Sequence, residues 1–119
     1  MAKSMLIISR QAPWAGPAAR EALDIALAGG AYDLPVSMLF LDDGVYQLTD
    51  AQAPGAVQQK NLAANLQALP LFGVDELFVC AASLARRGLS DDALAIAAQT
   101  QTDEQLRELL PRFDLVATL

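Results

Sequence analysis

The chain has 119 residues, 54% of them hydrophobic, with one cysteine, no histidine and a formal net charge of −6. That length allows one domain with its own buried core, and a single thiol cannot close an internal disulfide, which fits a reducing compartment. The lack of histidine removes Cys-His proteases, Ser-His-Asp hydrolases and most zinc sites, and the acidic balance opposes direct contact with a nucleic-acid backbone.

The opening MAKSMLIISR carries a short apolar run with no small-residue cleavage site after it, so it reads as a first strand, Ser4–Ser9, and not as a signal peptide. No apolar stretch reaches the roughly 18 residues of a membrane span. A cytoplasmic protein is the expectation. Gly16-Pro17 then opens a helix, with proline suited to a first helical position. Along PAAREALDIALAGG the residues Ala19, Leu23, Ala26 and Leu27 share a face, and Gly29-Gly30 reads as a left-handed cap.

Pro35–Leu41 (PVSMLFL) is a second buried run, stopped by Asp42-Asp43-Gly44. A short helical turn, VYQLTD, and a loop, AQAPGA, follow. Between Val57 and Leu69 the leucines Leu62, Leu66 and Leu69 recur at helical spacing, and Gly73 closes the connection. Glu76–Cys80 (ELFVC) is a third strand and ASLARRG a short helix capped by Gly88, with Leu89 packing back on it. Leu94–Gln99 (LAIAAQ) reads as a fourth strand weakened by its alanines. Thr102 is an N-cap with Gln105 at the capping-box position, and FDLVATL ends the pattern as a fifth strand. Continuous apolar strands separated by helices predict a three-layer α/β domain around a mostly parallel five-stranded sheet with flavodoxin-like winding.

Cys80 falls at the carboxyl end of the third strand, where ligands and chemistry gather in parallel sheets. A thiol just ahead of the ASLARRG helix faces unpaired backbone N–H groups and the positive end of a helix dipole, which stabilise a thiolate or a persulfide anion. Arg86 and Arg87 can add positive potential there or simply complement the far end of the helix; Ser83 lies on the same helix. Equally, a free cysteine is commonly a small buried hydrophobe. Asp42 and Asp43 invite a metal or acid–base reading, yet DDG after a strand is ordinary turn chemistry and no further ligands accompany it. No metal and no cofactor are therefore expected, and the loop QAPWAGPAAR lacks the glycine patterns of nucleotide sites. Trp14 in that loop is an interface anchor or a lid over the sheet edge, Arg20 a possible anion contact or a plain surface charge, and Phe40 and Tyr46 core residues.

In combination, VCAASLARRGL, LDDGVYQL, SRQAPWAGPAAREALDIAL and the closing FDLVATL resemble the DsrE/DsrF-like sulfur-relay family, most closely its TusC (DsrF) branch, over essentially the whole chain. The resemblance implies a subunit that assembles with TusB-like and TusD-like sisters as a dimer of heterotrimers. Such a complex takes persulfide sulfur from a TusA-like donor and hands it to a TusE-like acceptor for 2-thiouridine formation at tRNA wobble positions; its DsrEFH counterpart serves sulfur oxidation. Cys80 then corresponds to the sulfur-carrying position of the D-type sister, while the shorter C-type chain is an accessory subunit in which Trp14, Asp42, Asp43 and Gly44 shape a pocket or the subunit contacts. Two alternatives stay open: Cys80 as a sulfane-sulfur carrier in its own right, and a flavodoxin-like module for a small anion or nucleotide. Burial at the subunit interface is expected to be large and apolar, so that a lone chain self-associates or loses solubility without its partners.

Overall fold

The computed structural model of the chain describes residues 3–49, 64–74, 76–90, 92 and 94–119. Five strands, β1 (Met5–Ser9), β2 (Val36–Phe40), β3 (Leu77–Cys80), β4 (Gln99–Gln101) and β5 (Leu115–Thr118), form one sheet in the order β4-β3-β2-β1-β5, every pair parallel. The chain winds one way from β1 through β2 and β3 to β4, then crosses to the other side of β1 for β5. The order therefore reverses between β1 and β5.

Because successive side chains of a strand point to opposite faces, the apolar runs feed two cores at once. Ile7, Met38, Phe40 and Val79 pack against Ala19, Ala22, Leu23 and Ala26 of helix α1 (Ala18–Ala31), together with Leu66, Leu69 and Leu84. On the other face Leu6, Ile8, Leu39 and Phe78 lie beneath Leu109 of helix α3 (Asp103–Leu109), with Leu106 and Phe113 at the margin. This double burial is why β1, β2 and β3 are nearly uniformly apolar. Helix α2 (Ala81–Arg86) begins directly at the end of β3.

Several local signals act as their chemistry dictates. Thr102 Oγ1 accepts from the Gln105 N–H while the Gln105 side chain accepts from the Thr102 N–H, a complete capping box. Gly88 sits at φ +67°, and the Leu89 and Gly88 N–H groups donate to Leu84 O and Ala85 O at 2.9 and 3.1 Å, closing α2 as a Schellman motif. Asp42–Leu48 is a 3-10 helix, and Gly73 is left-handed at φ +85°.

Two expectations change. Leu94–Gln99 is not the fourth strand: Leu94 makes an isolated antiparallel bridge to Thr49, Ile96 is buried as a core side chain, and the strand begins only at Gln99. The apolar run fills the core beside the sheet, while the polar QTQ needs only one neighbour to serve as an edge. Gly29 and Gly30 are not a left-handed cap either; both lie inside α1, which ends at Ala31. A β-carbon on Gly30 would run into the Phe72 carbonyl oxygen, and one on Gly29 would come within 2.7 Å of Val36 Cγ2. They are small because α1 is pressed against β2 and the 3-10 turn Leu69–Phe72. The loop AQAPGA and Leu62 lie outside the described residues.

Alanine at position 30 gains about 1 kcal/mol of helix propensity over glycine, but the clash with backbone outweighs it. Gly30→Ala is expected to lower stability by about 1–3 kcal/mol in urea unfolding; a variant as stable as the parent rules out the close approach as the reason for glycine.

Candidate functional site

The carboxyl ends of β1, β2 and β3 carry the polar cluster of the molecule. Leu41 N–H donates to Ser9 O at 3.1 Å, and the chain then turns at Asp42, whose φ is +51°, into the 3-10 helix. Gly44 N–H donates back to Leu41 O at 2.8 Å. A β-carbon at Gly44 would overlap the Ser9 carbonyl. Only glycine lets this segment lie across the end of β1. Three residues on, the fully buried Gln47 donates through Nε2 to Ser9 Oγ (2.7 Å) and to Gln11 O (2.9 Å). Its Oε1 is the one buried side-chain polar atom among the described residues with no partner.

The charged groups of this end pair with one another. Arg10 Nε and an Arg10 terminal nitrogen donate to Asp42 Oδ2 at 2.8 and 2.6 Å. Arg87 does the same to Asp43 Oδ1 at 2.9 and 2.8 Å, and its remaining nitrogen donates to Ser83 O at 3.0 Å. Ser83 Oγ, buried, accepts the Asp42 N–H at 2.9 Å. One network thus joins Asp42, Asp43, Ser83 and Arg87 to Arg10, tying α2 to the turn after β2. Asp42 and Asp43 each face an arginine and do not converge on a common cation site.

Cys80 stands apart from that network. It is 5% exposed, forms the N-cap of α2 without a side-chain capping bond, and has no hydrogen bond to the network's side chains among the described residues. Strand alternation accords with this: Val79 joins the α1 side with Val45 and Leu48 of the 3-10 helix, Phe78 the opposite face, and the two-residue repeat puts Cys80 in phase with Phe78. It also lies two strands away from the β1/β5 reversal where ligands of open α/β sheets gather. Arg86 is exposed in the last turn of α2. Arg20 pairs with Asp24 one helical turn on, at 3.1 Å. Trp14 is 49% exposed and its ring centre lies 5.3 Å from that of Tyr46, so the half-buried Tyr46 supports Trp14 and is not a core residue as its setting suggested. Phe40 is fully buried.

The structure therefore gathers Asp42, Asp43, Gly44, Ser83 and Arg87, and leaves Cys80, Arg86, Arg20 and Trp14 outside that network. It adds three residues that the sequence reading passed over, Ser9, Arg10 and Gln47. Ser9 and Gln47 had a visible signal: each is a polar residue bordering or interrupting an apolar run. Arg10 had none, since its partner is 32 positions away.

Comparison with known proteins agrees with this architecture. The DsrE/DsrF-like family profile matches residues 3–117. A protein of Pseudomonas aeruginosa named "Protein TusC homolog" is 64% identical over 119 residues, the whole of both chains. A second TusC homolog, from Vibrio parahaemolyticus, is 41% identical over 101 residues, 85% of this chain and 86% of that one. The intracellular sulfur oxidation protein DsrF of Allochromatium vinosum is 37% identical over 114 residues, 94% of this chain and 84% of its own. Among solved structures, the ychN protein of E. coli superposes with a TM-score of 0.77 at 21% identity, covering both chains completely, a likeness of fold.

Steric and electrostatic contributions to the strand-end cluster separate cleanly by mutation. Arg87→Ala breaks an ion pair whose carboxylate is largely exposed and is expected to cost about 1 kcal/mol or less. Gly44→Ala is expected to cost about 3 kcal/mol, because backbone must move. Equal losses in chemical denaturation contradict this ranking.

Proposed function

The chain belongs to the DsrE/DsrF-like family, and on that premise we propose that it is the TusC-type accessory subunit of a sulfur-relay complex. The observation that carries the proposal is the 64% identity with a TusC homolog over the full length of both chains. In this reading the chain assembles with TusB-like and TusD-like sisters in the cytoplasm, and the complex moves persulfide sulfur from a TusA-like donor to a TusE-like acceptor for 2-thiouridine formation in tRNA. The name of the Allochromatium vinosum relative supports sulfur oxidation as the other pathway served by such a subunit. A net charge of −6 is suited to contact with protein partners and not with RNA.

Within that complex the accessory role fits the local chemistry. A sulfur carrier needs a nucleophilic thiolate with access to its donor. Cys80 is buried, and Arg87, one of the two arginines of the ASLARRG segment that follows it, is engaged by Asp43 and Ser83 O. One observation favours the second reading, a carrier: Cys80 ends a central strand of the sheet. There the thiolate would attack the outer sulfur of a donor persulfide, the donor S–S bond would break, and the donor would leave as a thiolate while Cys80 kept the transferred sulfur.

Intact-mass spectrometry of the co-expressed complex after exposure to a persulfide donor separates the two. The expected result is co-purification with both sisters, a gain of one sulfur on the TusD-like chain, and none on this chain, with Cys80→Ser leaving transfer unchanged. A gain on this chain that vanishes in Cys80→Ser makes it a carrier. Failure to co-purify overturns the subunit assignment.

A further inference from the structure

Strand β5 is anomalous for a parallel sheet, whose strands are ordinarily covered on both faces. β1, β2 and β3 are buried almost throughout, whereas none of the four residues of β5 is buried; Leu115 is 52% and Val116 46% exposed. These two side chains point to opposite faces, since Leu115 is level with Met5 and Val116 with Leu6. Among the described residues, neither helical layer buries this strand. The devices that protect free edges, namely lysine, proline and bulges, are absent from LVAT. At the other edge, β4 is Gln-Thr-Gln.

The backbone of β5 defines what can cover it. Leu115 N–H donates to Ser4 O, Leu119 N–H to Ile8 O, and Leu119 O accepts from Arg10 N–H. Residues 115 and 119, and by the two-residue repeat 117, thus direct their backbone groups inward to β1, while Val116 and Thr118 direct theirs to the free edge. Asp114 N–H is taken by Ser4 Oγ at 3.1 Å. The outward-facing pair is therefore Val116 and Thr118. In an antiparallel ladder, hydrogen-bonded residues exchange both bonds. A two-fold axis at Ala117 sets Val116 opposite Thr118 of a second copy and Thr118 opposite its Val116. Every outward group is then matched by the same strand inverted. Alanine on the axis permits the close approach of a non-hydrogen-bonded pair, about 4.5 Å between α-carbons. The side chains of residues 115–119 also hold no charge, so no charged side chain of this segment opposes another across the axis.

We infer that the free edge of β5 pairs antiparallel with β5 of a second copy of this chain, joining two five-stranded sheets into one about a two-fold axis at Ala117. The inference is independent of the sulfur-relay reading. It is tested on the full chain without sister subunits, by sedimentation over a concentration series into the millimolar range, and by oxidative cross-linking of single cysteines in a Cys80→Ser background. The parent is expected to dimerise. Val116→Lys and Thr118→Lys, with circular dichroism unchanged, are each expected to weaken the dimer about tenfold or more, and Gln99→Lys at the other edge to leave it intact. Ala117→Cys is expected to form a covalent dimer, its α-carbon spacing being within disulfide reach, whereas Val116→Cys alone is not. A monomer at all concentrations, a dimer indifferent to both lysine variants, or cross-linking at 116 in preference to 117 overturns the proposal.

Discussion

The close approach of Gly44 to the Ser9 carbonyl is the constraint on which the carboxyl end of the sheet depends. Two adjacent parallel strands finish level, Ser9 beside Phe40, and the chain leaving β2 must cross the end of β1 with no room for a side chain. Once it does, the rest of the turn has little freedom. Val45 and Leu48 drop into the core, Gln47 lands on Ser9 Oγ, and the Asp42 N–H faces Ser83. The ion pairs of Arg10 and Arg87 then close the rim. These exposed pairs add little stability individually; the steric contact beneath them sets the geometry they decorate.

Strand alternation decides the character of Cys80 more than its neighbours in sequence do. ASLARRG suggests a thiol surrounded by helix N–H groups and arginines, yet Cys80 makes no side-chain capping bond and Arg87 turns to Asp43. The thiol is left buried at the end of β3, and Arg10 and Arg87 are left with the aspartates.

What was legible in the chain was what depends on nearby residues. The strands SMLIIS, PVSMLFL and ELFVC declare themselves because double burial demands unbroken apolar runs, and the Thr102–Gln105 box and the Gly88–Leu89 closure are contacts within one helical turn. LAIAAQ misled because the same composition serves a coil that fills the core, while the true edge strand, QTQ, carries no apolar signature at all. Gly29 and Gly30 looked like a stop signal, and only the packing of α1 on Phe72 and Val36 reveals them as contact points. In the site, Gly44 and the aspartates stood out as a turn. Their arginine partners, and the 38-residue span from Ser9 to Gln47, belong to tertiary structure.

The attachment of β5 to β1 bears on how the chain reaches this fold. Asp114 accepts from Ser4 N–H and Ser4 Oγ across a separation of 110 residues, and the strand that follows zips onto the far side of β1. A contact of that range carries a large loop-closure cost and forms late. During synthesis β1 can pair with β2 early, but its other edge has no strand to receive until residues 115–118 have been made. A chain emerging from the ribosome therefore exposes one apolar edge of β1 through the whole interval between the two strands, a period in which shielding by a chaperone or by the ribosome surface matters more than the stability of the finished domain.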